Sequence, residues 1–122
     1  MRKTTKSVVP AVTLAVLLGA VWVAPVAGAA DAEVLKLGRD TAFDRKKGNC
    51  LACHMMGDGE SPGDIGPPLV AMAARFPDKA KLRAQLFDPQ VANPATRMPP
   101  FGKHKIVSDE ELDAIVEYLY TL

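Results

Sequence analysis

The sequence is poor in the residues that build most metal and redox sites, with two cysteines and two histidines among 122 residues. A zinc site around the cysteine pair would need further ligands, and His104 is the only histidine outside the motif that holds the pair. No βαβ pattern accompanies the pair, which argues against a thioredoxin-like redox protein. No basic stretch is interleaved with aromatic residues, so nothing indicates nucleic-acid binding. The sequence contains no internal repeat, low-complexity tract or second domain.

The two cysteines lie in the motif Cys50-Leu51-Ala52-Cys53-His54, the pattern for covalent attachment of a c-type haem. Two thiols about one helical turn apart can add across the vinyl groups on one porphyrin edge, and the imidazole that follows is a natural axial ligand. The alternatives are a disulfide between Cys50 and Cys53, or a surface pair without a cofactor. The motif predicts one covalently bound haem c, held by both cysteines, with His54 as an axial ligand.

Residues 1–30 have the features of a cleavable signal peptide: a basic start, an apolar run over residues 8–26 and small residues at the end. Cleavage is predicted after Ala29 or Ala30, which leaves residues 31–122 as a single haem domain in the periplasm. The alternative is an uncleaved membrane anchor, since the apolar run is long enough to span a bilayer. After cleavage we expect no association with the membrane.

Loss of this segment changes the charge and the size of the protein. The chain has 15 basic and 14 acidic residues, and residues 1–30 contain three basic residues and no acidic one, so the mature part has 12 and 14. So short a domain buries a limited core by itself. A covalently held haem would supply much of the missing apolar interior, and we therefore expect the apoprotein to be poorly folded.

The remaining pattern predicts an all-α domain. Apolar residues at helical spacing predict a first helix over residues 31–48, a short one over 70–75, a third over 78–87 and a last one after a Ser108-x-x-Glu111 capping box. Glycine and proline make residues 55–66 and 90–105 loops. We expect the apolar face of the last helix to pack on the first helix near Gly38 and Phe43.

Met98 is the preferred second axial ligand. It lies in a proline-stiffened loop, a thioether is a soft ligand suited to haem iron, and His/Met ligation raises the reduction potential. Met72 and His104 are the competing residues; the first resembles core filler and the second a surface histidine. Met55 and Met56 follow His54 directly, so they cannot easily reach the opposite face.

Pro67 is the candidate hydrogen-bond acceptor for the ring N–H of His54. A free carbonyl at this position would orient a metal-bound histidine and raise its basicity. The alternative is a rigid loop that does not form this bond.

Taken together, the helix, the CxxCH motif, the Gly66-Pro67-Pro68-Leu69 stretch, the proline-flanked methionine and the final helix resemble class I cytochrome c. Two stretches are more specific: residues 44–54 resemble the haem segment of the SoxX family, and residues 88–104 resemble its distal-methionine segment. The resemblance implies an all-α, class I cytochrome c-like domain around one haem, with His54 proximal, Met98 distal and Pro67 bonded to the histidine.

The narrower resemblance also implies partners. SoxX-family proteins are periplasmic and form a heterodimer with the larger haem protein SoxA, which oxidatively couples thiosulfate to a cysteine of the carrier SoxYZ. The chain would then be a non-catalytic electron-transfer subunit of an L-cysteine S-thiosulfotransferase, passing electrons to a downstream cytochrome c. The alternatives are a freely diffusing class I cytochrome c and a catalytic or sensing haem protein with an open sixth position.

Overall fold

A computed structural model describes residues 27–122, so most of the predicted signal peptide, and its alternative as a membrane anchor, lie outside the described residues. Within this part, four α-helices are joined by turns, namely α1 (Ala27–Phe43), α2 (Met72–Arg75), α3 (Lys79–Phe87) and α4 (Asp109–Leu119). Two short 3-10 helices cover Cys50–Ala52 and Pro89–Val91. No strand occurs in residues 27–122, where one isolated bridge joins Met56 and Leu69. The all-α prediction is confirmed.

None of the helices in the described part is long and apolar enough to cross a membrane.

Helices α1 and α4 form the central pair of the fold. A methyl group added to Gly38 would lie 2.0 Å from the carbonyl oxygen of Ala114, so only glycine allows the two backbones to approach this closely. The Phe43 and Tyr118 rings pack with their centroids 6.4 Å apart and tilted by 60°. The predicted packing of the last helix near Gly38 and Phe43 is confirmed.

The first helix ends earlier than predicted, at Phe43 and not at Gly48. The Asp44 side chain accepts a hydrogen bond of 2.8 Å from the backbone N–H of Lys46. Such a local bond competes with the helical ladder and favours a turn. Gly48 then donates to the carbonyl of Thr41 over 3.2 Å, which folds the chain back onto the end of α1. The turn directs the following cysteines toward the interior.

Helix α4 begins as the sequence predicts. Ser108 Oγ accepts from the backbone N–H of Glu111 over 3.1 Å, and Glu111 Oε2 accepts from the N–H of Ser108 over 2.9 Å, which completes the capping box. Its predicted apolar face is buried, and consists of Leu112, Ile115, Val116 and Leu119.

The third predicted helix is also found, with Asp78 as its cap: the carboxylate accepts from the N–H of Ala80 over 2.9 Å. Leu82 and Leu86 of this helix point into the core. The short helix α2 begins only at Met72, because the preceding residue adopts a left-handed conformation. The segments predicted as loops contain no α-helix and no strand.

Candidate cofactor site

A cavity of about 1000 Å³ lies between the CxxCH turn, α2, α3 and the loop that carries Met98. Its volume is at the upper end of the range for pockets that hold organic ligands, roughly 300–1,000 Å³. The inner wall is mostly apolar and includes Leu69, Leu82, Leu86 and Phe101. Cys50, Cys53, His54 and Met98 all line this one cavity.

The two cysteines are presented by a tight turn. The N–H groups of Cys53 and His54 both donate to the carbonyl of Cys50, over 3.1 and 2.9 Å. Asn49, which precedes the turn, has a left-handed backbone with φ 48°. This geometry places both side chains against the cavity, and neither thiol is joined in a disulfide.

Burial raises the pKa of the Cys50 thiol to about 11. The thiol is therefore protonated at neutral pH. A CxxC motif used for thiol–disulfide exchange needs the opposite shift, because the thiolate is the nucleophile. The environment of Cys50 thus disfavours the thiol-redox alternative and is consistent with an uncharged group in an apolar wall.

His54 is oriented by the carbonyl oxygen of Pro67, which lies 2.7 Å from Nδ1. A carbonyl can only accept a hydrogen bond, so Nδ1 must carry the proton and donate it. The lone pair of the neutral ring is then on Nε2, the atom through which a histidine can bind a metal. The orientation that Pro67 gives to the ring therefore fits an axial ligand of a porphyrin iron.

Gly66 is a site residue that the sequence reasoning missed. A methyl group added there would lie 2.2 Å from Cε1 and 2.5 Å from Nδ1 of the His54 ring. Only glycine leaves room for the imidazole in this position. The sequence signal was the glycine directly before two prolines, which was interpreted only as part of a loop.

Met98 reaches the cavity from a loop far from His54 in the sequence. Its side chain is half-buried, and its backbone N–H donates to Thr96 Oγ1 over 3.2 Å. The next residue along the chain, Pro99, also lines the cavity. The structure thus brings together an imidazole and a thioether, the two ligand types that the sequence predicts.

The competing candidates are placed differently. Met72 also lines the cavity and is only 2% exposed, which makes it the alternative sulfur ligand. His104 is exposed and does not line the cavity. Met56 is buried elsewhere in the core, and Met55 is 48% exposed.

The rim of the cavity is positively charged. Its lining includes no acidic residue and five basic ones, Arg45, Lys46, Lys47, Arg75 and Arg97. Lys47 is paired with Glu111, whereas the other four form no ion pair within residues 27–122. Residues 45–47 are exposed, and they also border the site.

The zinc alternative finds no further ligands in the part of the chain that the structure describes. No group of three or more histidine, cysteine, aspartate or glutamate side chains in that part is arranged to hold a metal ion. By contrast, an apolar cavity with two adjacent thiols, an imidazole and a thioether matches the donor set of a covalently bound haem.

Comparison with known proteins points the same way. The model of a protein family described as cytochrome C oxidase, cbb3-type, subunit III, matches residues 41–119. One relative is an uncharacterized lipoprotein of Aquifex aeolicus (strain VF5), 36% identical over 77 residues. The match covers 62% of this chain but 37% of the relative, so the chain spans little more than a third of that protein.

Proposed function

The chain belongs to the family of cytochrome c oxidase, cbb3-type, subunit III, and on that premise we propose that it is the SoxX-type electron-transfer subunit of a periplasmic SoxAX complex. The family itself establishes the coarser statement: the protein is a c-type cytochrome that binds haem c and transfers electrons. The convergence of both thiols, His54 and Met98 on one apolar cavity carries the haem-binding part of the proposal. The SoxX assignment rests on the resemblance of residues 44–54 and 88–104 to that family.

In this proposal Cys50 and Cys53 would hold a single haem c, and His54 and Met98 would bind its iron. The haem, when bound, supplies one-electron redox chemistry. Pro67 accepts the Nδ1 proton of His54 over 2.7 Å, which leaves Nε2 as the ring atom that would bind the iron. With both axial positions filled by the protein, no position is left for a substrate.

The apolar wall of the cavity keeps water away from the site. Leu69, Met72, Leu82 and Leu86 are each at most 8% exposed. A dry, low-dielectric surrounding and a thioether ligand both favour the less charged, reduced form of the site. The chain's own residues therefore set the potential, while the bond-making chemistry belongs to a partner.

That partner would be the larger haem protein SoxA. In the proposed complex, the thiol of a SoxYZ cysteine and thiosulfate join as a cysteine S-thiosulfonate, with loss of the thiol proton and two electrons. The present chain receives these electrons one at a time from the SoxA haem and passes them to a downstream cytochrome c. It contributes no catalytic residue to the sulfur chemistry.

Exposed apolar residues beside the site support a lasting partner. Met55, Ile65 and Val70 are 48%, 61% and 50% exposed, and all three lie on the segment that follows the CxxCH motif. Met55 and Leu69 are joined by a backbone hydrogen bond of 2.8 Å, which brings Met55 close to Val70. Exposed apolar residues that cluster are typical of protein–protein contacts.

The test is recovery of the complex from the source organism grown on thiosulfate. The chain, tagged at its C-terminus, should co-purify with a stoichiometric, larger protein that also stains for covalent haem. Val70→Glu, which changes an exposed residue outside the cavity lining, should lose this partner. The control Val91→Glu changes an apolar residue that is 83% exposed but lies on another segment, and should retain it.

A freely diffusing cytochrome c is the second candidate, and the basic rim favours it. Unpaired cations around a redox site steer an acidic protein toward it and accelerate transient encounters. A single haem band at both low and high salt, with no second haem protein, would support this candidate and exclude the SoxAX assignment.

A further inference from the structure

Arg75, the last residue of α2, contacts two different parts of the cofactor site. Its Nη1 donates to the carbonyl oxygen of Pro68 over 2.7 Å and lies 3.5 Å from the sulfur of Met72. It forms no ion pair within the described part of the chain. One guanidinium therefore reaches both the segment that orients His54 and the second methionine of the cavity.

The middle of the segment over residues 66–69 is held in place by hydrogen-bond donors from other parts of the chain. Its two central residues are prolines, which have no N–H with which to anchor the segment. Its ends are held by backbone hydrogen bonds of 2.8 Å to the CxxCH region. Between these ends, the carbonyl of Pro67 accepts from His54 and the carbonyl of Pro68 accepts from Arg75. Arg75 thus anchors the middle of the segment.

This anchor bears directly on the histidine. A hydrogen bond from a charged donor is stronger than one from a neutral group, so Arg75 holds the Pro68 peptide firmly. The adjacent carbonyl of Pro67 then has a defined position 2.7 Å from Nδ1 of His54. Partners of this kind fix the orientation and the basicity of a metal-bound histidine.

Arg75 also engages the alternative sulfur ligand. Met72 is 2% exposed and borders the same cavity as Met98. A thioether sulfur is a weak hydrogen-bond acceptor, and an N–H donor aimed at it occupies one of its two lone pairs and makes the sulfur a poorer ligand for a metal. Met98 has no such donor on its sulfur among the described residues.

We propose that Arg75 is a positioning residue for axial ligation: it fixes the acceptor of the His54 ring N–H and keeps the sulfur of Met72 from competing with Met98. The inference rests on the proposed ligation by His54 and Met98, and it adds a reason why one of two available methionines is selected.

The experiment is proton NMR of the reduced holoprotein, which reports the His54 ring N–H and the methyl group of the iron-bound methionine. In Arg75→Gln, exchange of the ring proton with solvent should be about fivefold faster, the ratio that corresponds to one hydrogen bond of ordinary strength. A second bound-methyl signal should appear as well. That signal should be absent from Arg75→Gln combined with Met72→Leu.

Arg45→Gln is the matched control, because it removes a cation from the same cavity wall, and no hydrogen bond joins Arg45 to residues 66–69 among the described residues. It should retain the wild-type exchange rate and a single methyl signal. Equal changes in Arg75→Gln and Arg45→Gln would show that only the loss of a positive charge matters, and would overturn the proposal. Unchanged spectra in Arg75→Gln would also overturn it.

A conservative variant and the wild-type spectrum complete the test. Arg75→Lys keeps a charged donor and should exchange more slowly than Arg75→Gln. Should Arg75→Gln yield no holoprotein, Arg75→Met keeps much of the side-chain volume without the donor, and a wild-type exchange rate in it would refute the inference. If the wild-type protein itself lacked the Met98 methyl signal, the proposed ligation would fail together with the inference. A normal wild-type spectrum with unaltered Arg75 variants would overturn the inference alone.

Discussion

Gly66 and His54 are packed so closely that a methyl group on Gly66 would overlap the imidazole, 2.2 Å from Cε1. The same ring donates from Nδ1 to the carbonyl of Pro67, the next residue along the chain. Two neighbouring residues therefore determine the position of the His54 ring. Gly66 leaves room for it because it has no side chain, and Pro67 accepts its hydrogen bond.

Gly66→Ala should displace the His54 ring and destabilise the holoprotein by about 1–3 kcal/mol, the usual cost of overpacking. The measurement is the free energy of unfolding, with the visible spectrum recorded alongside to detect a changed axial ligand. Gly59→Ala is the control. Its added methyl group meets the ends of the Leu51 and Phe43 side chains and no atom of His54, so the spectrum should remain that of the wild type. A wild-type spectrum and stability for Gly66→Ala would contradict the placement of His54.

Met98→Ala should lower the reduction potential and allow the reduced protein to bind carbon monoxide rapidly, because the sulfur ligand that favours the reduced state is lost. A redox titration and a carbon monoxide binding curve measure the two effects. Met72→Leu keeps the core volume and should leave both properties unchanged. An unchanged potential in Met98→Ala, or rapid binding by the untreated wild type, would rule out Met98 as a ligand.

His54→Ala should abolish the stable holoprotein, because it removes the imidazole that follows directly on the two attachment cysteines. Haem staining of the purified protein and its visible spectrum give the measurement. Recovery of a normally ligated haem in this variant would overturn the proximal assignment.

Gly38→Val should destabilise the fold by about 1–3 kcal/mol, because the added atoms would meet the backbone of Ala114 and push α1 away from α4. Chemical denaturation measures the change. Ala32→Val adds volume at an exposed position of the same helix and should change stability by no more than about 0.5 kcal/mol. Equal effects of the two substitutions would contradict the close approach of the helices.

Acid should weaken the contact between α4 and the turn after α1. The Lys47 side chain and the N–H of Ser108 hold the pKa of Glu111 below its ordinary value of 4.5. A depressed pKa means that this contribution is fully present above pH 4.5 and is lost as the pH falls through the lower, folded-state value.

Glu111→Gln should therefore flatten the dependence of unfolding midpoint on pH below about 4.5, while the capping geometry persists through the amide oxygen. Denaturation midpoints measured across this range give the comparison. Glu110→Gln, at an exposed neighbouring position, should keep the wild-type slope. Parallel curves for Glu111→Gln and the wild type would show that the Lys47 pair adds nothing to the acid response.

Much of the fold could be predicted because its signals are local. The capping box at Ser108 and the apolar face of α4 act within one or two helical turns, and both are found as predicted. The end of α1 was predicted wrongly at Gly48: residues 44–48 contain no apolar residue that continues the helical pattern, and the Asp44 side chain favours a turn. A hydrogen bond of one side chain to nearby backbone leaves no periodic signal.

By itself, the sequence determined the attachment motif, because Cys50, Cys53 and His54 lie close together along the chain. It also determined the ligand types, because histidine supplies an imidazole and methionine a thioether. Only the tertiary structure decided which distant groups share their cavity. Met98 and Met72 both border it, Gly66 makes room for the imidazole, and Arg75 reaches two separate segments at once. These contacts form only when the chain folds back on itself. Periodic patterns in the sequence report secondary structure, and they do not show which distant residues will be in contact.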